Sequence, residues 1–112
     1  MHHLLEAASP PTAVLAANDE MAMGAMDVAI QKGKRVPGDL AVIGFDDIQM
    51  AAMTRPSLTT VRQPMELLGE TAVRLLFERL DQRDDPFKHV VLPTSLVLRQ
   101  SCGCAVSNPP GS

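Results

Sequence analysis

The stretch that most constrains this chain runs from Leu40 to Asp47, LAVIGFDD. Its first six residues are apolar or glycine, and two carboxylates follow at once. A strand with one wet face would alternate. This one does not, so it reads as a strand covered on both sides, the habit of parallel sheets. In open parallel sheets ligands sit in the crevice outside the carboxyl ends of the strands. Asp46 and Asp47 lie at that end, and carboxylates near a core need partners or a ligand.

A second uncharged run, Thr12–Ala17, predicts another buried strand, and Asn18, Asp19 and Glu20 follow it. Asn and Asp are favoured N-caps, and early acids suit the positive end of a helix. Ala22, Ala25, Met26, Ala29 and Ile30 recur at helical spacing, and Gly33 stands where a helix stops. The helix is therefore expected over Glu20–Lys32. Pro37 and Gly38 in Val36–Asp39 have the order of a type II turn, leading into the strand Leu40–Phe45. Strand, helix and strand over this length form a βαβ unit with parallel strands. Asn18 and Asp46 then end adjacent strands at one sheet edge, and the fold class is α/β.

Downstream, Asp47 reads as the cap of a short helix over Ile48–Met53, which ends at Arg55 and Pro56. Strands are expected at Leu58–Arg62, His89–Leu92 and Ser95–Arg99, and a long amphipathic helix over Met65–Arg83. That helix has Leu68, Ala72, Leu75, Leu76 and Leu80 on its apolar stripe, and Glu70 and Arg74 spaced for an ion pair. The first eight residues read as the last turns of a helix stopped by Pro10 and Pro11. Residues 103–112 are small and polar and read as a disordered tail.

Bulk properties exclude several classes. The 112 residues suffice for one domain or part of one. Net charge is −3 and the ten basic residues form no block, which argues against a DNA-gripping face. No apolar run is long enough to span a membrane, and no signal peptide opens the chain, so a cytoplasmic protein is expected. No Ser-His-Asp or Cys-His set suggests an enzyme, and nothing implies a cofactor. His2, His3 and His89 have no companions at ligand spacing. Cys102 and Cys104 could bind a metal or form a redox pair, but they stand without the further ligands a metal site needs. Asp19, Asp46 and Asp47 could form a Mg²⁺ site like that of receiver domains, though no matching Thr and Lys follow.

Five ordered motifs resemble the C-terminal sensor core of the lac-repressor/gal-repressor (LacI/GalR) family of transcription regulators. They are Pro11–Val14 with Ala17–Ala25, Val36–Asp47, Pro56–Pro64, Gly69–Leu76, and Leu92–Ser101. The resemblance implies a type I periplasmic-binding-protein-like fold, in which two lobes close on a small effector, often a sugar or nucleobase. Residues 1–102 would be a partial effector-binding and dimerisation core. DNA would be held by an N-terminal helix-turn-helix that this chain lacks. Met65–Arg83 would belong to the opposite lobe, leaving its apolar face open, so the isolated chain is expected to be marginal or to pair with another. The matching positions make Asp46, Asn18 and Gln63 the candidate ligand contacts. Their alternative roles are a turn or cap for Asp46, an N-cap for Asn18 and a hinge hydrogen bond for Gln63. Met21, Met23, Met26, Met50 and Met53 fall on the segments Met21–Met26 and Ile48–Met53, which form the homodimer face in the family; methionine packs adaptably at such surfaces. A periplasmic-type sugar-binding protein of the same fold is the alternative.

Overall fold

The computed structural model describes residues 1–84 and 86–104. These divide into two compact units, one formed by Met1–Arg62 and the chain from Leu96 on, the other by Gln63–Ser95.

The first unit is built on the expected βαβ crossover. Strand β1 (Ala13–Leu15) pairs in parallel with β2 (Ala41–Ile43), Val14 standing opposite Val42. Between them runs α2 (Asp19–Gln31), and α1 (His2–Leu5) precedes β1. The small residues Ala22, Ala25 and Ala29 let α2 settle on the sheet, and its Met26 fills the same core. Leu5, Leu40, Val42, Ala51 and Leu58 complete that core. Leu40 and Leu58 are almost wholly buried, each contributing about 1.5–3 kcal/mol of apolar burial. Gly33 ends α2 in the left-handed region, at φ +77°, which glycine adopts at no steric cost. Lys32 closes the same end with a 3.0 Å ion pair to Glu6.

Strand β3 (Thr60–Arg62) continues the ladder on the far side of β2. The Gly44 and Asp46 N–H groups donate to the Thr59 and Val61 carbonyls at 2.9 and 2.8 Å. Strand β4 (Ser95–Val97) pairs with β3. The segment after it returns to the core. Ser101, fully buried, accepts the Val42 N–H at its carbonyl and donates its hydroxyl to the Val42 carbonyl at 2.6 Å. Its Oγ also accepts the Thr59 N–H at 2.9 Å. One serine thus bridges β2 and the chain entering β3, satisfying backbone groups that a buried sheet must not leave bare.

The second unit contains α3 (Met65–Asp81), whose only buried residue among those described is Thr71. A 3.0 Å pair between Lys88 and Glu78, and Arg79 stacked 4.2 Å over the Phe87 ring, hold the Pro86–Lys88 segment to it.

Several expectations need correction. Strand β1 is not buried: Leu15 is 74% exposed, because only the Val14 side of this edge strand meets the core. The turn at Val36–Asp39 is not type II, since Gly38 has no positive φ. The Asp39 carboxylate takes the Arg35 N–H and guanidinium, and the Asp39 N–H returns to the Arg35 carbonyl, closing a wider turn. His89–Leu92 forms no strand. The α3 stripe is open, as expected of a helix without its opposing lobe, with Leu68, Leu76 and Leu80 all exposed. Among the described residues Glu70 and Arg74 form no ion pair. The short helix is a 3-10 helix over Gln49–Ala52. Of the expected tail, residues 105–112 lie outside those described.

Candidate functional site

The carboxyl ends of β1 and β2 place Asn18 and Asp46 at one edge of the parallel pair, each three residues beyond the matched positions Leu15 and Ile43. Asn18 caps α2, as expected: its backbone is extended and its Oδ1 accepts the Met21 N–H at 2.8 Å. The cap uses the oxygen of the carboxamide. The side-chain nitrogen, a donor of two hydrogens, is not needed by the helix. Asp46 is half-buried and its N–H is fixed on the Val61 carbonyl.

Asp46 and Asp47 both take positive φ, at 116° and 59°. Side chains other than glycine reach this region at a cost of about 1–3 kcal/mol each, and such residues cluster at binding sites. The surrounding hydrogen bonds hold them there. Asp19, 1% exposed, lies at the start of α2 and receives the Thr60 hydroxyl on Oδ1 at 2.5 Å and the Ile48 N–H on Oδ2 at 2.8 Å. Its own N–H donates to the Phe45 carbonyl. One buried carboxylate therefore fastens the helix start, the β2 tip and β3 together. Gly44 makes room for it: a Cβ on residue 44 would collide with Asp19 Oδ1 and lie 3.0 Å from Leu58 Cδ2.

Asp47 is not a helix cap. The 3-10 helix starts behind Ile48 without any side-chain cap. Instead Asp47 Oδ2 takes the Arg62 Nε–H at 2.7 Å and Oδ1 takes the Arg99 Nη2–H at 2.9 Å. A carboxylate leaving water demands cations more strongly than a 3-10 turn demands a cap. Burial pushes the Asp47 carboxyl up, but the hydrogen bonds and charges of Arg62 and Arg99 outweigh it, and its pKa lies below the ordinary value. Arg99 is itself buried, with Nη1 on the Leu58 carbonyl and its backbone N–H on the Thr59 hydroxyl.

Asp19 and Asp47 thus spend their oxygens on protein donors, and the three acids do not form a shared cage. Among the described residues no group of three or more His, Cys, Asp or Glu is placed to hold a metal ion. Gln63 is the first residue of the second unit, half-buried, next to the Pro64 that precedes α3. A cleft of about 290 Å³ on that unit is lined by Leu75, Leu76, Phe87 and neighbours, and holds none of the three candidates. Of the methionines, Met26 is core and Met23 packs against it, while Met21, Met50 and Met53 are exposed.

Thr60, Arg62, Arg99 and Ser101, none of them a candidate from sequence, also hold this edge together. A signal existed for the arginines. Two adjacent carboxylates at a strand tip require compensating charge, and Arg62 and Arg99 are the cations in the two strand segments expected nearby.

Comparison with known proteins agrees with the geometry. A periplasmic binding protein-like domain family matches residues 1–102. The lactose operon repressor of Rhizobium radiobacter is 50% identical over 91 residues, covering 81% of this chain and 80% of that protein. The transcriptional repressor PurR of Mannheimia succiniciproducens is 43% identical over 101 residues, covering 90% of this chain but 30% of that protein. Among solved structures, a LacI family regulator from Enterococcus faecalis with bound ribose superposes with TM-score 0.77 at 36% identity, covering 90% of this chain and 37% of that one. The lac repressor dimer bound to operator and an anti-inducer superposes with TM-score 0.73 at 42% identity, covering 82% and 32%. This chain therefore spans about a third of the length of most of the proteins it resembles. No described helix is long and apolar enough to cross a membrane.

Proposed function

The chain belongs to the LacI/GalR family of transcription regulators, built on a periplasmic-binding-protein-like domain, and from that premise we propose that it is the effector-sensing and dimer-forming part of a cytoplasmic DNA-binding repressor. The observation that carries the reading is the parallel pairing of β1 with β2, which brings the strand ends that lead to Asn18 and Asp46 to one carboxyl edge of the sheet. A carboxylate can accept two hydroxyls at once, and a carboxamide supplies N–H donors beside it. That set suits a sugar bearing adjacent hydroxyls better than a flat nucleobase, and the ribose-bound neighbour supports the sugar class. Gln63, before α3, is the third proposed contact.

The remaining role follows from linkage. An effector that binds one arrangement of the sensor more tightly shifts the protein toward it, and DNA affinity changes if that arrangement holds the DNA-binding element differently. DNA contact is proposed to lie in a helix-turn-helix outside this chain. The dimer seen for the lac repressor supports a homodimer here. Exposed Met21, Met50 and Met53 are proposed as its adaptable contacts. The fold performs this role without catalysis.

Titration calorimetry of the intact regulator against a panel of pentoses, disaccharides and purines tests the assignment. Asp46→Ala is expected to abolish heat release from the wild-type effector while leaving the unfolding transition in place. Unchanged affinity in that variant sinks the site.

A further inference from the structure

Cys102, Gly103 and Cys104 follow directly on Ser101, which is locked to Val42 and Thr59. Gly103 takes φ +74°, a conformation that turns the chain back on itself and that a side chain would strain. As a result the Cys104 N–H points at the Cys102 sulfur, 3.4 Å away. The Cys102 thiol lies 3.8 Å from the Arg99 carbonyl, Cys102 is half-buried and Cys104 is exposed. Burial pushes Cys102 up, but hydrogen bonds from Thr59 and from Cys104 outweigh it and lower its pKa. Cys104 is raised by the hydrogen bond it shares with Cys102. The Gly103 turn and the Cys104 N–H on the Cys102 sulfur hold the residue bearing the second thiol against the first.

We propose that Cys102 and Cys104 form a redox-active dithiol that closes to an intramolecular disulfide by exchange with a low-molecular-weight disulfide of the glutathione class. In the first step the Cys102 thiolate attacks one sulfur of the disulfide. A protein–glutathione bond forms, and one glutathione thiolate leaves and takes a proton. In the second step Cys104, deprotonated, attacks the Cys102 sulfur and expels the second glutathione. The dithiol loses two electrons and two protons; the small disulfide gains them as two thiols. The anchored Ser101 and the bent Gly103 favour the ring over a stable mixed disulfide.

The test equilibrates the full chain in glutathione buffers, quenches with acid, alkylates free thiols and weighs the intact protein. The expected product is a monomer lighter by two hydrogens and carrying no glutathione. Its effective concentration for closure is expected to be about tenfold higher in buffer than in urea. Cys104→Ser should stop at glutathione attached to Cys102, and Gly103→Val should lower closure to the urea level. Separate glutathiones on both cysteines, linkage only between chains, equal closure in urea, or unimpaired closure in Gly103→Val would each overturn the proposal.

Discussion

Asp47 shows how single residues hold the strained tip of β2. Arg99 and Arg62 neutralise it from two sides, one buried and one open to solvent. Its native pKa is lowered, whereas in the unfolded chain it titrates near the ordinary value of about 3.9. Between those two values the unfolded state binds more protons, so acid favours unfolding. The stability that the cluster contributes is present above about pH 4 and is lost as pH falls through the lowered native pKa. Urea midpoints measured near neutrality and near pH 3 are therefore expected to differ less in Asp47→Asn than in the wild type. Asp39, held down to about 2 by Arg35, contributes equally in both and cancels. Equal acid sensitivity in the two proteins would remove Asp47 from the account. Gly44 is the other residue on which the tip depends. A methyl group there meets Asp19 Oδ1, which the Thr60 hydroxyl and α2 hold in place. Gly44→Ala should cost about 1–3 kcal/mol of overpacking strain, read as a lower urea midpoint, and an unchanged midpoint would show that Asp19 moves freely.

The N-cap of helix α2, Asn18, is where stability and the proposed effector contact meet. Removing the Asn18 cap, as in Asn18→Ala, should destabilise by about 1 kcal/mol. Asn18→Asp separates the two roles, because aspartate caps a helix as well as asparagine and suits its positive end, yet carries no N–H to donate. That variant is expected to keep the wild-type melting temperature while losing effector affinity several-fold; wild-type affinity would confine Asn18 to capping. This cap, the crossover and the pairing of β1 with β2 were legible because each depends on neighbours in sequence: a capping residue, a helical period, two apolar runs. Other features were not, because they depend on partners far along the chain. Whether Asp47 caps a helix or binds arginine is decided by Arg99, 52 residues away. Nothing local marks Ser101 as a bridge of the sheet, because its partner Val42 lies 59 positions earlier. The turn at Pro37 departs from type II because Asp39 offers the Arg35 backbone and guanidinium a carboxylate, an alternative that proline and glycine positions do not reveal. No strand forms at His89–Leu92, because β-branched composition reports a half-buried pleated surface rather than an intrinsic backbone state.

At the scale of the whole molecule, the two units differ in how their helices are supported. Helix α2, at 13 residues, buries Asp19, Ala22, Ala25, Met26 and Ala29. Helix α3, at 17 residues, buries Thr71 alone, and Leu68, Val73, Leu76, Phe77 and Leu80 are exposed along it. Length and propensity favour α3. Isolated helices of this size are nonetheless marginal in water, and most helical stability in proteins comes from packing an apolar face. Amide exchange opens a structure locally, at a free energy set by the contacts that the opening breaks. Deuterium uptake in the 112-residue chain is therefore expected to be slow over Ala22–Ala29 and to approach the unprotected rate over Leu67–Leu80, although the second segment belongs to the longer helix. At higher protein concentration α3 should gain protection while α2 stays the same, since association is the route by which exposed leucines leave water. Equal protection of the two helices at low concentration would mean that α3 draws support that its own unit does not provide.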